Sequence, residues 1–342
     1  MKRLISTVLA AALLLASVAS LASCSDGKVR KSYYYEYFDT VSIISDYSGR
    51  GERKFRKDLA EVEVLLREYH ELFDIYNEYD GINNLATLNS MAGKGPVKLD
   101  DRILDLLEYS VSAYELTGGE INVAFGAVLK IWHDYRSEGK AVPRRQELLG
   151  AERHCNIKDL VINRENGTAE LLDPEMRIDV GAVAKGYAVE RIALVLADRG
   201  LSGWVLDVGG NLRVIGTKND GTGWRTGVKN PSLDPNDPYI AYYELKDEAL
   251  VTSGNYERYY EVGGERYHHI IDKDTLMPSE HCVSVTVRAD DSALADALST
   301  AIFNMDAEEA QKLIEKLGGR AEALIVLQSG EKLELKYTEK KE

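Results

Sequence analysis

The chain has 342 residues, enough for one large domain or two ordinary ones with a sizeable buried core. Its 42 Lys and Arg against 56 Asp and Glu give a formal charge of −14. That excludes a surface built to neutralise nucleic-acid phosphates, but not a nucleotide held locally by backbone amides and a cation.

Met1-Lys2-Arg3 makes a basic start, residues 4–19 are nearly all apolar or small, and Leu21-Ala22-Ser23-Cys24 fits a lipoprotein processing box. The pattern predicts a signal peptide over residues 1–23 and a lipidated Cys24. The acyl chains would hold a soluble domain at a membrane face. An ordinary secretory signal or an uncleaved anchor are the alternatives, the apolar run being short for a span. Residues 24–36, polar and then Tyr-rich, read as a tether, and residues 37–340 as one domain. Cys155 and Cys282 show no Cys-x-x-Cys spacing; a disulfide and two free buried thiols both fit.

Residues 37–44 are β-prone and predict the first strand. Leu59, Val62, Leu65, Leu66, Tyr69, Leu72 and Phe73 recur at helical spacing, predicting an amphipathic helix over Glu52–Phe73 with His70 near its end as a surface or capping residue. A loop rich in Asn and Gly follows, through Gly95-Pro96. A second helix spans residues 101–116 and stops at Gly118-Gly119. Phe125, Val128, Leu129 and Trp132 have helical spacing, and His133 beside them reads as a structural histidine. Residues 157–172 suggest a hairpin around Glu165-Asn166-Gly167. Short strands fill residues 203–287. Helices over residues 292–305 and 307–317 and two strands, near residues 323–327 and 332–335, close the chain. Helices interspersed with an antiparallel run predict an α+β fold with mixed or antiparallel sheets and flanking helices.

The chain is organised around Arg177-Ile178-Asp179-Val180-Gly181-Ala182-Val183-Ala184-Lys185-Gly186-Tyr187-Ala188. It reads as a strand end, a tight turn and a helix whose first turns carry Asp179, Lys185 and two glycines. Glycine lets backbone approach a bulky ligand, and helix-start N–H groups favour an anion. It is not a P-loop, because Lys185 precedes Gly186 and no Gly-Lys-Ser/Thr ends the motif. Asp207-Val208-Gly209-Gly210-Asn211 and Thr252-Ser253-Gly254-Asn255-Tyr256 are small-residue turns with no Gly-x-Ser-x-Gly elbow. His268 and His269 sit in an extended segment and face opposite ways, so one at most points into a given site, suited to hydrogen bonding or proton transfer. No zinc-type His-Glu-x-x-His occurs. Asp296 and Thr300, four apart, share a helix face and offer hard oxygen donors of the kind Mg²⁺ takes.

In this order the motifs resemble the FAD:protein FMN transferases, the ApbE family, also known as thiamine-biosynthesis lipoproteins; nothing in the residues supports a thiamine role. The resemblance implies that Asp179 and Lys185 contact FAD, and that the Ala182 carbonyl joins Asp296 and Thr300 around Mg²⁺. It further implies flavin-site roles for Phe38, Tyr76, Glu120, Ile121, Asn122 and Ile270, and a catalytic role for His269. The chain departs from the family pattern at Ile121-Asn122-Val123-Ala124-Phe125-Gly126, at Asp272-Lys273-Asp274-Thr275-Leu276 and in the loop over residues 80–89. The activity implied is Mg²⁺-dependent transfer of FMN from FAD to a Thr or Ser hydroxyl of an acceptor flavoprotein, with AMP released. An FAD pyrophosphatase and a non-catalytic flavin-binding lipoprotein are the alternatives. Acceptors in the family include subunits of Rnf- and Nqr-type membrane redox pumps, which fits an enzyme anchored on the extracytoplasmic face of the cytoplasmic membrane. No nucleic-acid partner is implied.

Overall fold

The computed structural model describes residues 29–218 and 220–338. The expected signal peptide and Cys24 lie outside the described residues. The frame is an eight-stranded antiparallel sheet, ordered in space β1 (Arg30–Tyr34), β2 (Ser42–Asp46), β6 (Trp204–Val208), β7 (Asn211–Ile215), β10 (Ala249–Gly254), β13 (Cys282–Ala289), β14 (Ala321–Leu327) and β15 (Lys332–Leu335). A small sheet joins β3 (Val97–Lys98), β5 (Thr168–Leu171) and β4 (Leu160–Asn163), while β8 (Trp224–Lys229) pairs with β9 (Tyr239–Leu245) and β11 (Tyr259–Val262) with β12 (Glu265–His268).

Both faces of the main sheet are covered, which is why β13 is buried along most of its length instead of alternating. The β8–β9 hairpin lays Trp224, Val228 and Leu245 over Val205, Val214 and Leu250 on one face. On the other face lie α1 (Glu52–Phe73), α6 (Ala184–Asp198) and α7 (Ser292–Phe303). Helix α1 buries one stripe, Phe55, Val62, Leu66, Tyr69, Leu72 and Phe73, and keeps its charged face in water. Helix α7 is buried nearly all round, so its apolar sequence admits a carboxylate at Asp296 only with partners. Between these lie α2 (Leu85–Ser90), α3 (Asp101–Leu116), α4 (Gly126–Glu138) and α5 (Arg145–Glu152), with α8 (Ala307–Lys316) near the end of the chain. Phe125, Trp132, Leu148, Tyr260 and Leu276 form a separate core under α4 and α5, fixed by Trp132 Nε1 donating to the Leu276 carbonyl at 2.9 Å.

The structure differs from the sequence reading at several places. Arg30–Tyr34, inside the expected tether, is a strand, because Tyr34 is buried against the core and the segment finds a ladder partner in β2. The expected strand over residues 37–44 begins only at Ser42; Phe38 and Asp39 adopt φ of 55° and 50°, which no strand residue does. The Asn- and Gly-rich loop holds α2, whose capping box joins Asn84 and Thr87. Cys155 and Cys282 are both buried and free.

Candidate active site

At the edge of the core, between the α6 and α7 helices and the loops beside them, is a cavity of about 630 Å³. Its lining includes every site residue expected from the sequence: Phe38, Tyr76, Glu120, Ile121, Asn122, Asp179, Ala182, Lys185, His269, Ile270, Asp296 and Thr300. They come from six separate stretches of the chain.

The decisive geometry lies where α6 begins against α7. Gly186 is the point of contact: a Cβ there would collide with Asp296 Cβ and the Ser292 carbonyl and would come within 3.0 Å of Asn211 Nδ2. With no Cβ, the two helices close up and the Gly186 N–H donates to Asp296 Oδ2 at 2.8 Å. That bond changes the start of the helix. Ala184 N bonds Val180 O and Tyr187 N bonds Val183 O, but Gly186 N, the donor four residues after Ala182, is diverted to the carboxylate. The Ala182 carbonyl is therefore left without its helical donor, and Ala182, Asp296 and Thr300 all line the cavity. One small residue thus places Asp296 and frees a backbone oxygen in the same helix start.

The same bonds correct two expectations. No strand end precedes Asp179; Arg177 makes only an isolated bridge to Phe125, and the helix starts five residues after Asp179, at Ala184. Two of the first three helix N–H groups, those of Ala184 and Gly186, are already bonded inside the protein, so the attraction for an anion falls mainly to the Lys185 ammonium. Lys185 Nζ stands 3.7 Å from Asp296 Oδ1.

Burial raises the pKa of Asp296, opposed by Lys185 and the Gly186 N–H. Burial likewise raises that of Asp179, whose Oδ1 accepts from Gly181 N at 2.9 Å, with His133, Arg136 and Arg258 acting the other way. Asp179 is tied to the neighbouring loop by its own N–H, which donates to the Val123 carbonyl at 2.8 Å. Gly126 secures that loop, because a Cβ there would run into the Arg177 carbonyl. Asn122 is held by its Nδ2 donating to the Cys155 carbonyl at 2.9 Å. Glu120 pairs with Lys273 at 3.2 Å.

His268 and His269 face opposite ways, as their extended setting requires. His268 is buried, bonded through Nε2 to the Ser279 carbonyl at 2.9 Å. His269 lines the cavity with Nδ1 unpartnered; burial, with Arg258 and Arg136 nearby, lowers its pKa to about 3 and keeps the imidazole neutral. Thr300 Oγ1 lies 3.5 Å from Ser253 Oγ, which also meets Ser299 Oγ at 2.8 Å.

His70, expected at the surface or as a cap, and His133, expected to be structural, both line the cavity. His70 accepts from the Phe38 N–H at 3.2 Å and bonds Tyr79, so it braces the turn that carries Phe38 and is not a cap. His133 stacks on Tyr76, ring centroids 4.8 Å apart, and with it forms an aromatic shelf on the wall. Arg136 and Arg258 also line the cavity. A one-turn spacing from His133 to Arg136 on an amphipathic helix was the only signal available for Arg136.

Ala182, Asp296 and Thr300 offer a carbonyl, a carboxylate and a hydroxyl, all hard oxygens of the kind a divalent cation such as Mg²⁺ would take. Among the described residues no three His, Cys, Asp or Glu side chains converge to hold a metal, so the charge of this donor set comes from Asp296 alone.

Comparison with known proteins identifies the family and the fold. The ApbE family model matches residues 39–325. The chain belongs to the ApbE family. It is 32% identical over 294 residues to the FAD:protein FMN transferase of Treponema pallidum (strain Nichols), covering 82% of this chain and 80% of the relative. The Vibrio cholerae FAD:protein FMN transferase is 30% identical over 258 residues, 75% of each chain. Among solved structures, the ApbE protein of Thermotoga maritima superposes with a TM-score of 0.79 at 29% identity, covering 90% of this chain and 97% of its own. The flavin transferase ApbE of Vibrio cholerae shares the fold, with a TM-score of 0.76 at 24% identity, covering 91% and 97% of the two chains.

Proposed function

We propose that this ApbE-family chain is an FAD:protein FMN transferase that moves FMN from FAD to a Ser or Thr hydroxyl of an acceptor protein and releases AMP. The observation that carries the reading is the diverted Gly186 N–H, which sets Asp296 within 3.7 Å of Lys185 and frees the Ala182 carbonyl in the same helix start. This is a site for the pyrophosphate of a dinucleotide and a divalent cation. Relatives named FAD:protein FMN transferase over most of their length support the same reading.

Asp296, Thr300 and the Ala182 carbonyl would hold Mg²⁺. When bound, that ion neutralises phosphate charge and makes phosphorus more open to attack. Lys185 supplies a positive charge next to the same phosphates. The Tyr76–His133 shelf offers a flat surface for a ring of FAD, and Asp179 and Asn122 offer polar contacts. The acceptor hydroxyl oxygen attacks the FMN-side phosphorus, a phosphoester forms, the phosphoanhydride bond breaks and AMP departs with the oxygen. His269, whose Nδ1 is unpartnered, or a nearby cavity carboxylate such as Asp179 would take the hydroxyl proton; burial and the nearby arginines disfavour protonated His269, whereas burial raises the pKa of Asp179. Water in place of the hydroxyl would give FMN and AMP, the pyrophosphatase alternative.

The leader reading extends the proposal. Lipid on Cys24 would place the enzyme on the extracytoplasmic face of the cytoplasmic membrane, where an Rnf- or Nqr-type subunit could serve as acceptor. Among the described residues no helix is long and apolar enough to cross a membrane. Incubation with FAD, Mg²⁺ and an acceptor domain, followed by mass spectrometry, tests the activity: covalent FMN on the acceptor supports transfer, free FMN with AMP supports hydrolysis, and intact FAD supports binding only.

A further inference from the structure

The Asp207-Val208-Gly209-Gly210-Asn211 turn has no role in the reading above, yet it delivers a side chain to the same point. Asn211 opens β7, is fully buried, and lines the cavity. The turn before it is fixed twice: Asp207 Oδ1 accepts from Gly210 N at 3.1 Å, and Gly209, at φ 59°, leaves no room for a Cβ against Thr40. Ser292 Oγ donates to Asn211 Oδ1. The Ser292 N–H in turn donates to Glu190 Oε2 at 2.7 Å, and Arg213 Nε holds the same oxygen at 2.9 Å. Ser292 and Asp296 are four apart, on one face of α7.

The amide of Asn211 is therefore oriented. With Oδ1 occupied by Ser292, Nδ2 points to the gap that Gly186 leaves open, where Asp296 sits. Nδ2 is a fully buried donor with no other protein partner, and the group it faces across that gap is the Asp296 carboxylate.

We infer that Asn211 is a positioning residue for the cation site: its Nδ2, oriented by Ser292, turns the Asp296 carboxylate so that Oδ2 stays on the Gly186 N–H and Oδ1 faces the cavity. The inference rests on the metal-dependent reading of the site and assigns to Asn211 and Ser292 the setting of metal affinity, separately from FAD contact. Partners that orient a metal-bound carboxylate typically change metal affinity by roughly 10–100-fold when removed.

The test compares the wild-type chain with Asn211→Leu and the milder Ser292→Ala. Mn²⁺ binding to the acceptor-free protein is measured by electron paramagnetic resonance, alongside the thermal midpoint, the half-activating Mg²⁺ concentration and the KM for FAD at saturating Mg²⁺. The expected result is a Mn²⁺ affinity weakened about 10–100-fold in Asn211→Leu and less in Ser292→Ala, with a matching rise in half-activating Mg²⁺ and an FAD KM within about twofold of wild type. Unchanged Mn²⁺ affinity in folded variants overturns the inference, as does a parallel loss of metal affinity, FAD affinity and thermal midpoint. If Asn211→Leu does not fold, Ser292→Ala decides by the same criteria. A wild-type chain that binds no Mn²⁺ overturns the metal-dependent reading and this inference with it.

Discussion

The two walls of the cavity are built differently. The wall carrying Ala182, Lys185, Asp296 and Thr300 belongs to two packed helices joined at Gly186, and its side chains are set by buried helix geometry. The opposite wall, with Phe38, Tyr76, Glu120, Asn122 and His133, is assembled mostly from loops pinned by single contacts such as His70 to the Phe38 N–H and Asn122 to the Cys155 carbonyl. Charge has to be placed to a fraction of an ångström for phosphoryl transfer, and the rigid wall supplies that. A ring system tolerates a softer surface, and the loop wall is held by pairs such as Lys273 with Glu120.

Breaking the helical wall should therefore cost far more than breaking the loop wall. Asp296→Ala removes the one charged oxygen donor and should lower Mg²⁺-dependent transfer on the order of 10³-fold or more, read as covalent FMN on the acceptor. Lys185→Met should lower kcat/KM by about 10²-fold through loss of charge beside the phosphates, with the thermal midpoint retained. Gly186→Ala forces the helices apart; it should destabilise by about 1–3 kcal/mol and raise the Mg²⁺ requirement, seen by thermal melts and Mg²⁺ titration. Tyr76→Ala loses the stack with His133, about 0.5–1.5 kcal/mol, and should raise the KM for FAD about three- to tenfold with kcat little changed. A smaller effect sits at the turn behind the site. Burial pushes the Asp207 carboxyl up to about 6 from its ordinary value of 3.8. Between those values the folded protein keeps a proton that the unfolded chain has released, so stability falls as pH rises through that window. Asp207→Asn should then stabilise the fold at neutral pH by at most about 3 kcal/mol, at about 1.4 kcal/mol per pKa unit, seen as a higher thermal midpoint, and lose that advantage below about pH 4.

The same division explains what the sequence disclosed. The α1 and α3 helices, the β4–β5 hairpin and the terminal helices follow from periodicity and turn residues that act locally. Asp296 and Thr300 were readable because their spacing is itself a helix property. Strand β1 was not, since Arg30–Tyr34 becomes a strand only by pairing with β2 and its one buried side chain gives no alternation to read. Helix α2 rests on a capping box too short to separate from a loop. His70 and His133 gained their roles from contacts 32 and 57 residues away, with Phe38 and Tyr76, which no local pattern encodes. The diverted Gly186 N–H lies beyond sequence reasoning for the same reason: its partner is 110 residues along the chain.

The most direct test of the central claim is the stoichiometry of product against AMP. With FAD, Mg²⁺ and an Rnf- or Nqr-type acceptor domain, each AMP released should be matched by one FMN joined to the acceptor through a phosphoester, and both should vanish together in Asp296→Ala. AMP matched instead by free FMN, or covalent labelling that persists in Asp296→Ala, would contradict it.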